Sequence, residues 1–144
     1  LGHRRAAAAS LGADVVLDPA DPDLLAGLAD ATGGRGADLA LEIAGTDDAV
    51  RIACEAVRPG ATVVLAGIPE EDHTTFPAST ARRKGLTLRL ARRMGEVYPR
   101  TIALAAAGRV DVRSVVSHTF ALDRVGEAFT VAAARTGHKV VVTP

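Results

Sequence analysis

Residues 61–68, ATVVLAGI, form a nearly continuous apolar run, and this run limits the possible folds more than any other feature of the chain. A strand that is apolar on both faces needs cover on both faces, which is the situation of strands in parallel sheets layered with helices. The neighbouring segments fit that arrangement. DLALEIAG (38–45) is a second such strand, apolar on both faces apart from Glu42. Between the two strands, Thr46 with Asp47 and Asp48 opens a helix with negative charge at its positive end; the helix is expected to run to Arg58 and stop at Pro59-Gly60. Upstream, HRRAAAASL (3–11) is helix-forming, Gly12 stops it, and DVVLD (14–18) reads as a short strand. Asp21-Pro22 begins a helix whose stripe of Leu24, Leu25 and Leu28 ends at Gly33-Gly34.

Downstream, LTLRLAR (86–92) alternates as an edge strand should, and 97–107 reads as a helix with Pro99 in its first turn and Gly108 as its stop. VVSHTF (115–120), a helix from about Asp123 to Arg135 and a last strand HKVVVT complete the pattern. Strand and helix alternate through residue 112, which predicts an α/β fold with a doubly wound parallel sheet.

Charge and cysteine content remove several classes of function. Seventeen basic and 17 acidic side chains leave a net charge of zero, so the excess of Lys and Arg that drives nucleic-acid or membrane-surface binding is missing. One cysteine, Cys54, allows no disulfide framework and no Cys-rich metal site, as expected of a cytoplasmic protein, and is most simply a small buried hydrophobe. No apolar run approaches the roughly 20 residues that span a bilayer. The four histidines are scattered, and none stands at a metal-ligand spacing from a Cys or another His. The glycine turn G-x-G-x-x-G is absent; Gly34-Arg35-Gly36 precedes a strand and reads as a helix stop. Ligands of open α/β sheets gather at the carboxyl ends of strands, which singles out Ala44-Gly45-Thr46, Ala66-Gly67-Ile68 and Ala91-Arg92-Arg93. Small residues at the first two suit either a flat ligand against the backbone or a tight turn. Of the basic cluster, Arg82, Arg83 and Lys84 read as a solvated face.

The order of whole strings adds a resemblance. LGADVVLD, DLALEIAG, VRPGATVVLAGI, KGLTLRLARRMGEVYPRTIALAAAGRVD, VVSHTFALDRVGEAF and GHKVVVTP together resemble the C-terminal part of the zinc-dependent medium-chain alcohol dehydrogenases, in particular the sorbitol and xylitol (polyol) dehydrogenase branch. HTFALDRVGEAF with the terminal KVVV strand is the most specific part. VRPGATVVLAG alone is shared with methyltransferases that use S-adenosylmethionine.

The resemblance implies a partial Rossmann domain over residues 1–112, its first strands missing, and a segment over 113–144 that returns to the catalytic domain. It implies hydride transfer from a polyol or other secondary alcohol to NAD, with NADP as the alternative coenzyme, on a zinc ion whose ligands lie outside this chain. Arg4 corresponds to an arginine beside the adenosine ribose. Ala66, Gly67 and Ile68 correspond to the stretch beside the nicotinamide and its ribose, and Ala91, Arg92 and Arg93 to the next such stretch, with Arg93 also on the substrate hydroxyls. The implied partners are a small alcohol or polyol and further copies of the chain in a homodimer or homotetramer. A zinc-free quinone or enoyl reductase of the same superfamily and a non-catalytic nucleotide-binding remnant are the alternatives. Opening on Leu1 rather than Met, the sequence reads as the downstream portion of a longer enzyme, and the 144 residues alone are expected to be inactive.

Overall fold

The expected layering is realised in a computed structural model that describes residues 1–92 and 95–144. The elements run α1 (Gly2–Ser10), α2 (Leu24–Ala31), β1 (Ala37–Glu42), α3 (Asp47–Ala56), β2 (Val57–Leu65), α4 (Ala78–Lys84), β3 (Thr87–Leu90), α5 (Tyr98–Ala106), β4 (Val116–Ala121), α6 (Val125–Ala133) and β5 (Lys139–Thr143). They divide between two units, Asp14–Arg93 and Leu1–Ala13 with Met94–Pro144.

In the first unit β1, β2 and β3 form a parallel sheet with β2 in the middle. Parallel neighbours cannot be joined by a tight turn, so a helix must carry the chain back each time, and α3 and α4 do so. The helix α3 forms where its caps dictate. Thr46 is extended and its Oγ1 accepts the Ala49 N–H at 3.2 Å, while Asp47 and Asp48 occupy the first turn. Val50, Ala53 and Cys54 recur at helical spacing on one face, and there they meet Val57, Ala61 and Val63 of β2, with Ala40, Leu65, Leu86 and Leu88 packed around them. Cys54 is fully buried, and burial raises its thiol pKa.

Three details depart from the sequence reading. The run 14–18 forms no strand. A lone extended segment has no ladder to join, and Leu17 instead lies against Gly27 of α2. The strand β1 is covered on one face only: Leu39, Leu41 and Ile43 are more than half exposed, whereas Ala40 and Glu42 turn toward the core side. Lys84 is not part of a solvated face. Its half-buried ammonium donates to the carbonyls of Cys54, Glu55 and Val57 at 3.2, 2.6 and 2.7 Å, and so satisfies the acceptors that α3 leaves open at its end. The helix accordingly stops at Ala56, and Val57 already belongs to β2.

The second unit holds a β-α-β arrangement in which β4 and β5 pair in parallel and α6 packs on both. Pro99 occupies the first turn of α5, where its missing N–H costs nothing. Arg124 stacks over Phe120, 5.4 Å from the ring centre, and bonds Glu127 through Nε at 2.9 Å.

Val63 is fully buried at the centre of the middle strand. Val63→Ala is expected to lower stability by about 2 kcal/mol, from lost apolar burial plus the cavity left behind, read as a lower denaturant midpoint at unchanged slope.

Candidate functional site

The three parallel strands end, at their carboxyl side, on Glu42, Leu65 and Leu90. Beyond those ends the chain closes a cavity of about 300 Å³ lined by Glu42, Gly45, Val50, Leu65, Gly67 and Leu90 on the sheet and helix side, and by Pro69, Asp72, His73 and Thr74 on the loop side. The size suits a single ring system with its attached sugar, at the lower end of ordinary ligand pockets.

Two glycines make the floor of this cavity possible. Gly45 has φ +73°, and a Cβ built on it would lie 2.4 Å from the Ile68 carbonyl oxygen. A Cβ on Gly67 would lie 2.2 Å from the Gly45 nitrogen and 2.6 Å from Glu42 Oε2. The segments leaving β1 and β2 therefore cross with backbone against backbone. Between the two sequence readings of these small residues, close ligand approach or tight turn, the geometry identifies a third cause: each glycine is required by the other chain segment. Glu42 holds the crossing together. Its backbone oxygen accepts the N–H groups of both Ala66 and Gly67 at 2.9 Å, and its side-chain Oε1 accepts the Gly45 N–H at 2.7 Å. At 4% exposure it is the buried polar residue among those described. Sequence reasoning noted Glu42 only as the polar exception in an apolar strand; that exception, three residues before a strand-end glycine, was the available signal.

The loop over the cavity is anchored to the first turn of α3. The Thr75 N–H donates to Asp47 Oδ1 at 2.9 Å and the Thr75 hydroxyl donates to Oδ2. These bonds, with a smaller contribution from nearby His73, hold the Asp47 carboxyl below its usual pKa. A carboxylate with a depressed folded pKa stabilises the folded state above its unfolded pKa and loses that contribution as pH falls through the depressed value. The anchor is therefore expected to persist below the ordinary aspartate pKa and to release as pH falls through the depressed one, and Asp47→Asn to abolish this acid step in loop hydrogen exchange.

The expected site residues fall in different places. Ala66, Gly67 and Ile68 leave the end of β2 together, with Ala66 and Ile68 exposed and Gly67 half-buried in the crossing. Ala91 stands beside them, its N–H donating to the Leu65 oxygen at 2.9 Å, and Arg92 follows it, exposed. Arg93 lies outside the described residues, as does Met94. Arg4 is on α1 in the other unit, where it lines a cavity of about 840 Å³ with His3, Ser10, Ser114, His138 and Lys139. Among the described residues no three of His, Cys, Asp and Glu come together as a metal site.

Residues 2–107 match the zinc-binding dehydrogenase family. A Mycobacterium tuberculosis protein named as a zinc-binding alcohol dehydrogenase is 35% identical over 134 residues, 92% of this chain and 34% of that protein. D-xylulose reductase of Morganella morganii is 31% identical over 102 residues, 71% of this chain and 30% of its own length. The solved alcohol dehydrogenase from Thermus sp. ATN1 superposes with a TM-score of 0.87 at 27% identity, covering 99% of this chain and 42% of that one. The chain thus spans about a third of the length of the curated relatives it matches.

At Gly67, even one methyl group has no room against the Gly45 backbone. Gly67→Ala is expected to cost about 3 kcal/mol by overpacking a backbone contact that cannot yield as a side chain would, measured as a lowered thermal midpoint.

Proposed function

The chain belongs to the zinc-binding dehydrogenase family, and from that membership we propose that it forms the nicotinamide side of an NAD(P)-dependent dehydrogenase of a secondary alcohol, of the polyol class. The observation that carries this reading is the cavity at the carboxyl ends of β1, β2 and β3, floored by the Gly45–Gly67 crossing. When bound there, the coenzyme supplies the hydride acceptor.

The chain's own residues shape and dry the site. Ala66, Gly67, Ile68 and Ala91 are assigned to the stretches beside the nicotinamide and its ribose, of which Gly67 lines the cavity together with the apolar side chains of Val50, Leu65 and Leu90. Arg4 is assigned to the adenosine ribose, Arg92 and Arg93 to the coenzyme stretch after β3, and Arg93 also to the substrate hydroxyls. Residues 1–112 belong in this reading to the coenzyme domain and 113–144 to the catalytic domain. NAD is the assigned coenzyme, with NADP as the alternative. The zinc is held by residues outside this chain, in a cytoplasmic homodimer or homotetramer. The family membership supports that division of labour.

Titration of the 144-residue chain with NADH, followed by the emission of the reduced nicotinamide, is expected to give weak saturable binding, with Kd of about 1 mM, that Gly67→Val abolishes. The same chain with NAD, zinc and a polyol is expected to show no turnover. Absence of saturable NADH binding overturns the assignment of the cavity.

A further inference from the structure

A buried carboxylate is costly unless bonded, and a strand otherwise written ADLAL has no packing need for one. Glu42 nevertheless occupies the last position of β1 and ties together three backbone segments. Its side chain bonds the loop after its own strand at Gly45, its carbonyl bonds the chain after β2 at Ala66 and Gly67, and its second carboxylate oxygen lies against Gly67. Ile68 in turn crosses directly over Gly45. The only side-chain hydrogen bond in this set is the one to Gly45, at 2.7 Å.

We propose that Glu42 is a positioning residue for the coenzyme's nicotinamide riboside half: by reaching Gly45 it fixes the crossing and thereby the backbone of Gly67, which with Gly45 lines the cavity. This rests on the assignment of the cavity to the nicotinamide coenzyme. Glu42 touches no reacting atom in this role. It acts through the two glycines, and what matters is the reach of its acceptor oxygen rather than its charge. Glutamine has the same reach and offers a carbonyl oxygen to the Gly45 N–H. Aspartate keeps the charge and is one methylene too short. Removing the bond frees the Gly45 turn to move off Ile68, and a floor displaced by even a fraction of an ångström no longer presents a flat surface to the ring.

The test compares the chain with its Glu42→Gln, Glu42→Asp and Glu42→Ala variants, titrated with NADH and, separately, with ADP, which lacks the nicotinamide riboside. Glu42→Asp and Glu42→Ala are expected to weaken NADH binding by about tenfold or more, whereas Glu42→Gln stays within about threefold and ADP binding is unchanged in all three. The reverse order, with Asp retaining and Gln losing affinity, overturns the inference in favour of a charge effect. Equal losses for NADH and ADP overturn it in favour of a general structural role, and unchanged NADH binding in every variant overturns it outright. If Glu42→Ala does not fold, the Gln and Asp pair still decides. Failure of the unsubstituted chain to bind NADH instead removes the cavity assignment, and this inference with it.

Discussion

The middle strand β2 depends on being flanked: its two neighbours lie parallel to it, its central valine is fully buried, and α3 seals one face with Val50, Ala53 and Cys54. Because parallel strands are joined only by crossovers, every strand in this sheet points its carboxyl end the same way. That constraint gathers the ends at Glu42, Leu65 and Leu90 on one side and makes a site there a matter of topology. The loops that leave those ends have little room, and the Gly45–Gly67 crossing is how two of them share it.

The electrostatics of the site follow the same logic of local satisfaction. Glu42 is tolerated in the interior because a backbone N–H meets it, and Lys84 is held at the end of α3 because three carbonyls meet it. Asp47 is shared between two tasks, the first turn of α3 and the anchor for the loop at Thr75. Each of these charges stabilises a junction between elements, and all three junctions border β2 or the cavity beyond it. Hydrogen bonds between these charged side chains and backbone groups stiffen the junctions without bulky side chains in the cavity.

Much of this was legible in the residues because it rests on local chemistry. The cap at Thr46, the acids behind it, Pro99 at the start of α5 and the apolar run of β2 each act within one turn or one strand, so spacing alone announces them. The family, too, was legible, in the order of whole strings. The strand expected at 14–18 was misjudged for a physical reason: β-branched composition favours an extended chain, but only a neighbour's ladder makes it a strand. Lys84 was misread as solvated because its partners lie 27 to 30 residues away, beyond any local pattern.

By itself, then, the sequence determined most of the segments that become helix or strand and that the strands lie parallel, and it pointed to their carboxyl ends. Only the tertiary structure decided that Gly45 and Gly67 exist for one another, that Glu42 binds both of their loops, and that one face of β1 carries Leu39, Leu41 and Ile43 in the open. Propensity and capping act between residues a few positions apart, whereas a backbone crossing is set by where two separate strands stop, and no spacing along the chain encodes that distance.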